Sequence, residues 1–278
     1  FAASRLKDWA RGSAVQGRFV SRPARARWLA MADKRQGLPL NSIRPVEVSP
    51  GFHRFAEGSV LYRAGGTRLL VTASIDDGVP EFMRGRGKGW ITAEYQMHPR
   101  ANPKRRENRD GRDKPLSGRS REIQRLIGRA LRAAVDLDRL GERSIVIDAD
   151  VIEADGGTRT AAITGGFIAL AMALDKLRLD KKVLRDQIAA VSVGHVDGKY
   201  ALDLCYAEDS TARVDLNVVA TAKGGMVEIQ GTAEGEPVPR EDLDAMIDLG
   251  LIGVAELCVV QRKALETVGI DLARLMPS

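Results

Sequence analysis

Three segments of this chain carry side chains whose types and spacing can do chemistry. The first is Asp155-Gly156-Gly157-Thr158-Arg159-Thr160, at the point where an alternating stretch gives way to a long apolar one. Two glycines let backbone N–H groups approach a ligand closely, and a helix starting there presents unpaired donors and partial positive charge. Thr158 and Thr160 add hydroxyls, and Arg159 adds a planar fork matched to phosphate oxygens. Together these make an anion site. The GxxxxGK[ST] spacing is absent, so it is not a Walker loop. Taken alone, the segment reads equally well as a glycine turn with a threonine cap and a surface arginine.

The second segment is a run of cations. Arg100, Lys104, Arg105, Arg106, Arg109, Arg112 and Lys114 precede Ser117-Gly118-Arg119. Residues 84–132 hold 15 Lys/Arg against five Asp/Glu, a net of +10. Such a loop is too polar for a core, and its composition suits a phosphate backbone. Aromatic rings to stack on bases are few nearby (Trp90, Tyr95), so electrostatics should dominate. A solvated charged face has the same composition.

The third segment is Glu208-Asp209-Ser210-Thr211-Ala212-Arg213-Val214-Asp215, within residues 201–248, where 11 acids face three cations. The pattern predicts that Asp209 closes one strand and Asp215 begins the next, which brings both carboxylates to one sheet end. Oxygen ligands of this kind suit Mg²⁺ or Mn²⁺, with substrate phosphates completing the shell. One carboxylate could instead serve as a general acid, and turn-capping by Asp is the plain alternative. His53, His98 and His195 have no metal-ligand spacing, and neither HExxH nor GxSxG occurs. They read as structural or surface residues.

The elements that must hold these segments are legible around them. Residues 58–64 and 67–75 are β-rich runs joined by Gly65-Gly66, a hairpin signal. Residues 143–154 alternate as a strand does. Two further hairpins are expected, 189–196 with 199–206 about Asp197-Gly198, and 214–221 with 226–232 about Lys223-Gly224-Gly225. Ile123, Leu126, Ile127, Ala130, Leu131 and Ala134 recur at helical spacing, with Arg121, Arg125, Arg129 and Arg132 on the opposite face. Residues 160–177 are apolar nearly all round, which predicts a buried helix. Residues 241–267 form a third helical region, interrupted by glycines and opened after Pro239. Hairpins on both sides of helices point to an α+β domain with a mixed sheet and packed helices.

Composition sets the outer limits. The chain has 278 residues, 44% hydrophobic and 29% charged, which excludes collagen-like, low-complexity and mostly disordered chains. Cys205 and Cys258 are the two cysteines, too few for a disulfide framework or a Cys-rich zinc site. No apolar run is long enough to cross a bilayer. Residues 1–30 carry seven cations and one acid, and so account for the whole net charge of +6. They read as a basic leader, transit-peptide-like or vector-derived, or as an arm that touches nucleic acid. The expectation is a leader ahead of a native start at Met31 and a globular domain over 31–278.

These segments occur together in one family. Ala56-Glu57-Gly58-Ser59-Val60-Leu61, Thr92-Ala93-Glu94-Tyr95, the stretches 118–137, 154–165 and 208–218, and residues 230–237 resemble ribonuclease PH proteins. These are phosphate-dependent 3′-to-5′ exoribonucleases, related to polynucleotide phosphorylase and the exosome ring subunits. The similarity runs from about residue 43 to about residue 265. Phe55 stands where the family has a histidine, Gln96 and His98 also depart from it, and residues 107–116 diverge.

The resemblance implies an α+β fold with a duplicated β/α unit, assembled as a ring-like homohexamer, a trimer of dimers, without a membrane. It implies that Arg119, Gly157, Thr158 and Arg159 bind inorganic phosphate, the co-substrate. Asp209 and Asp215 would be the catalytic acids and would hold Mg²⁺ or Mn²⁺, and Arg100, Arg105, Arg106, Arg109 and Arg112 would contact RNA. The implied reaction is reversible removal of 3′-terminal nucleotides from tRNA precursors and other RNA as nucleoside diphosphates, a tRNA nucleotidyltransferase activity. The implied location is the cytoplasm, or an organelle if residues 1–30 are a transit peptide. Relatives that have lost the phosphate or metal residues serve as non-catalytic RNA-binding subunits of exosome-like rings. Arg119, Arg159, Asp209 and Asp215 are all present here, which favours the enzyme.

Overall fold

A computed structural model describes residues 35, 37–102, 106, 115–179 and 182–277. The basic stretch 1–30 and Met31 lie outside the described residues. The first β-rich runs form the expected hairpin, β2 (Gly58–Ala64) with β3 (Thr67–Asp76), turning through Gly65 at φ 54°. Strand β1 (Val46–Pro50) pairs antiparallel to β2. On the other side β3 pairs antiparallel to β5 (Ser144–Glu153), and β5 pairs parallel to β4 (Trp90–Met97). The sheet order is β1-β2-β3-β5-β4. A parallel pair needs a long crossover. Here it includes α1 (Gly118–Ala134), capped by the Ser117 hydroxyl, which accepts from Ser120 N at 3.0 Å, and α2 (Leu137–Leu140). The apolar stripe Ile123, Leu126, Ile127, Ala130, Leu131 and Ala134 is buried, as the spacing predicts.

Helix α3 (Thr158–Lys176) follows β5, and every residue from Thr160 to Leu174 is buried. It is apolar all round because it is covered on two sides, by β2 and β3 of the first sheet and by β6 (Ile188–Val196) of the second. Gly58 makes the first contact possible: a Cβ there would lie 1.9 Å from the Ala169 carbonyl oxygen. Any side chain at that position would force strand and helix apart.

The second sheet is antiparallel, in the order β7 (Lys199–Leu202), β6, β8 (Val214–Thr221), β9 (Met226–Ala233). Two sequence expectations are corrected within it. The strand foreseen over 199–206 stops at Leu202, because Asp203 adopts a left-handed φ of 54°. Asp209 therefore does not close a strand; it ends a short helix, α4 (Tyr206–Asp209).

The third helical region, α5 (Arg240–Glu266), runs unbroken for 27 residues against β6 and β8. Its glycines do not interrupt it. A Cβ on Gly250 would fall 2.7 Å from Val218 Cγ2, and one on Gly253 would fall 2.8 Å from Leu202 Cδ1. At both positions the missing side chain lets the helix lie close against the sheet. Buried Gln261 joins three elements: its Nε2 donates to Thr164 O (3.1 Å) on α3 and to Ile188 O (2.9 Å) on β6. A last helix, α6 (Leu272–Leu275), completes an α+β architecture with two sheets and the buried helix α3 between them.

Candidate active site

Helices α1 and α3 both begin beside one cavity of about 660 Å³, and neither has an acidic residue in its first turn. Arg119 and Ser120 line it from α1, Thr158 and Arg159 from α3, Asp209 from α4 and Asp215 from β8. Two helix N-termini and two guanidinium groups make this space electropositive on one side. The turn into α3 is tight because Gly157, the N-cap, sits at φ 63° and Gly156 at φ 78°. Non-glycine residues rarely adopt that conformation.

The turn is braced from several sides. The Thr158 hydroxyl oxygen accepts from the hydroxyl of Tyr95, 2.8 Å away on β4. Thr160 is buried and donates to Gly157 O at 2.9 Å, so its hydroxyl locks the turn rather than facing a ligand, contrary to the sequence expectation. Arg159 is 21% exposed; its Nη1 donates to Gln230 Oε1 on β9 at 3.3 Å and lies 3.7 Å from Glu122 Oε1. Arg119 stands exposed on the rim.

On the far side the two acids meet. Burial first, and then the negative charge of Asp209, push the Asp215 carboxyl up to about 6, while Arg159 and Arg119 oppose the shift. Burial also raises Asp209, again against the pull of Arg119 and Arg159. Asp215 Oδ1 is buried with no hydrogen-bond partner among the described residues. An unpartnered buried carboxylate oxygen beside a second carboxylate fits a divalent cation, which satisfies both. Among the described residues no set of three or more His, Cys, Asp or Glu side chains could hold an ion. The remaining ligands would therefore be substrate oxygens or water, the usual arrangement for Mg²⁺.

Arg119, Arg159, Asp209 and Asp215, singled out by the sequence, thus converge on one cavity with Gly157 and Thr158. Arg100 and Arg106 are exposed, and Arg105, Arg109 and Arg112 lie outside the described residues. Asn102 and Ser117, from the same stretch of chain, both line the cavity.

Two contributors escape sequence reasoning: Gln230, which holds Arg159, and Tyr206. Tyr206 also lines the cavity and is 41% exposed, an aromatic surface at its mouth. The expectation that its segment is strand hides it. Gln230 stands far from the other site residues in the chain, with no spacing to flag it.

Models of the 3′ exoribonuclease family match this chain in both halves, domain 1 over residues 42–174 and domain 2 over residues 186–253. The chain belongs to the ribonuclease PH family, the phosphorolytic 3′-to-5′ exoribonucleases. It is 50% identical over 233 residues to the ribonuclease PH of Cyanothece sp. (strain PCC 7425 / ATCC 29141), covering 82% of this chain and 96% of that protein. Its fold is similar to that of rice (Oryza sativa) Rrp46, with a TM-score of 0.65 at 20% identity over 82% of this chain and 98% of that one. A chain of the Archaeoglobus fulgidus exosome, solved with RNA bound to the active site, gives a TM-score of 0.67 at 22% identity, covering 84% of this chain and 94% of that one. The exosome likenesses concern the fold alone. No helix among the described residues is long and apolar enough to cross a membrane.

Proposed function

We propose that inorganic phosphate binds in the cavity between the N-termini of α1 and α3 and cleaves the last phosphodiester of an RNA 3′ end, releasing a nucleoside diphosphate. One observation carries this reading. Two arginines in acid-free first turns open on the same cavity as two carboxylates with raised pKa values.

Arg119 and Arg159 bind phosphate oxygens through charge-assisted hydrogen bonds, and the backbone amides at Thr158 add neutral donors. Gln230 and Glu122 hold the Arg159 guanidinium, so phosphate is oriented as well as concentrated. A phosphate oxygen forms a bond to the terminal phosphorus as the bond to the neighbouring 3′ oxygen breaks. The proton lost by the attacking phosphate balances the one gained by the departing 3′ hydroxyl. The arginines offset charge that grows on the phosphoryl oxygens. Asp209 and Asp215 would hold Mg²⁺ or Mn²⁺, which would neutralise charge on the phosphoryl and leaving oxygens. The phosphodiester energy is retained in the diphosphate, so the reaction runs in both directions.

Arg100 and Arg106, with Arg105, Arg109 and Arg112 in the same run, guide the RNA backbone to the cavity mouth. There the Tyr206 ring offers a stacking surface to a base. The substrates are tRNA precursors and other RNA with exposed 3′ ends. The assembly is a homohexamer, a trimer of dimers. It is supported by edge strand β9, which leaves Met226 and Ile229 exposed, and by likeness to a chain of an archaeal exosome core.

Incubating the protein with RNA, Mg²⁺ and phosphate tests the reading. Nucleoside diphosphates should form in step with phosphate consumed. Arg159→Ala should raise the KM for phosphate by about 10-fold or more, the worth of a charge-assisted pair, with RNA affinity retained. Nucleoside monophosphates, or RNA bound without turnover, would overturn it in favour of hydrolysis or of a scaffold subunit.

A further inference from the structure

Arg44, just ahead of β1, is 6% exposed, and its guanidinium is spent inside the protein. Its Nε donates to Asp203 Oδ2 at 3.0 Å and its Nη2 to Asp203 Oδ1 at 2.7 Å, a bidentate pair. Its backbone N–H adds a third bond to Asp203 Oδ2 at 2.8 Å. On the other side Nη1 donates to Asp155 O at 2.6 Å, and Nη2 reaches Gly156 O at 3.5 Å. Those carbonyls belong to the turn that delivers Thr158 and Arg159. A Cβ on Gly157 would lie 3.1 Å from Arg44 Nη2, so the guanidinium packs directly against the N-cap of α3.

Asp203 leads into the opposite half of the site. It ends the strand before α4, whose last residue is Asp209. The two halves are seated on each other: a Cβ on Gly156 would fall 2.4 Å from Leu204 O, and Tyr206 N donates to Asp155 Oδ1 at 3.2 Å. Arg35 repeats the device nearby, pairing with Glu208 at 2.8 Å and donating to Leu202 O.

A buried ion pair is weak evidence for stability, because desolvation offsets much of the attraction. What this pair does provide is register. A planar fork with five donors can bind a carboxylate and two carbonyls at once, which a lysine ammonium in the same place could not do in that geometry.

We infer that Arg44 and Asp203 form a positioning clamp, which fixes the phosphate-binding turn against the segment carrying Asp209 and so sets phosphate affinity without touching phosphate. The inference rests on the phosphate site proposed above. Neither residue lines the cavity.

Arg44→Lys keeps a cation for Asp203 but loses the fork that grips the two carbonyls. Steady-state phosphorolysis and the rise in unfolding temperature on adding phosphate, both on the full chain, read the consequence. Arg44→Lys should raise the KM for phosphate by about 10-fold or more, as small misplacements of binding groups do. The KM for RNA should stay within about twofold, and a given phosphate concentration should raise the unfolding temperature less in the variant than in the wild type. A lower unfolding temperature with an unchanged phosphate KM would make the pair merely structural and overturn the clamp. Should Arg44→Lys fail to fold, Asp203→Asn is read by the same two measurements, and a wild-type phosphate KM there overturns it equally. Arg159→Ala runs alongside. If it leaves the phosphate KM unchanged, the site itself is misplaced; if it raises the KM and Arg44→Lys does not, only the clamp is lost.

Discussion

Arg159 on α3 and Gln230 on β9 of the second sheet meet, with Arg159 Nη1 3.3 Å from Gln230 Oε1. Gln230 is itself held, since its Nε2 donates to Glu228 Oε1 at 3.2 Å, and Glu228 pairs with Arg129 of α1 at 2.6 Å. The arginine of the phosphate turn is therefore aimed by a strand of the second half of the chain. Gln230→Ala should leave the fold intact and free the guanidinium to wander. One hydrogen bond to a charged group, long and partly open to water, is worth about 1 kcal/mol, or about fivefold in binding. The phosphate KM should rise by about that factor, with kcat and the KM for RNA little changed. Steady-state kinetics over a range of phosphate concentrations checks this. A phosphate KM equal to that of the wild type would mean that Arg159 is held by other contacts.

Asp215 should trade stability for chemistry. Its carboxyl is raised to about 6 by burial and by Asp209, against an ordinary value of about 3.9 in the unfolded chain. The folded state therefore holds this proton more tightly than the unfolded state does. The stability linked to it is fully present below about pH 4 and is lost as pH rises through about 6. The gap between the folded and unfolded values corresponds to a penalty on the order of 3 kcal/mol at pH 8. Asp215→Asn removes that penalty. In metal-free buffer the variant should unfold at a higher temperature than the wild type at pH 8, with the difference shrinking toward pH 4, while turnover is lost. A difference independent of pH would show that the carboxyl is not strained by charge in the folded protein.

Much of this architecture is readable from residue order, for identifiable reasons. The α1 stripe and the all-apolar α3 declare themselves because burial on one face or on all faces imposes its own periodicity. Arg159 and the glycine turn can be picked out because anion binding at a helix start needs a glycine, a donor and a cation within a few residues, whereas only the family resemblance singles out Arg119 for phosphate. Asp209 is legible too, but on the wrong element. Asp203 breaks the strand by taking a left-handed conformation, and an aspartate carries no signal that separates that role from an ordinary turn. Gly250 and Gly253 read as interruptions because close packing of a helix on Val218 and Leu202 is a property of the partner surface. Gln230 and Arg44 serve the site only through tertiary contact, so nothing local could mark them, while Tyr206 is hidden because its segment reads as strand.

The arginine-rich segment should act through charge alone, and ionic strength separates that from recognition of particular bases. Asn102 and Ser117, two described residues beside this run, both line the cavity. For single-stranded nucleic acid, each phosphate neutralised contributes about 0.7 to the slope of log affinity against log salt. Arg100 is exposed and is not among the residues that line the cavity. Arg100→Ala, combined with Asp215→Asn so that the RNA is not degraded, should weaken binding at low salt and reduce the slope by about 0.7. It should do so equally for oligonucleotides of different sequence. In the active protein the same change should raise the KM for RNA and leave that for phosphate unaltered. Fluorescence anisotropy across a salt series gives the slope. If the slope is unchanged while affinity falls for one sequence only, Arg100 reads a base rather than the backbone, and the electrostatic account of this face is wrong.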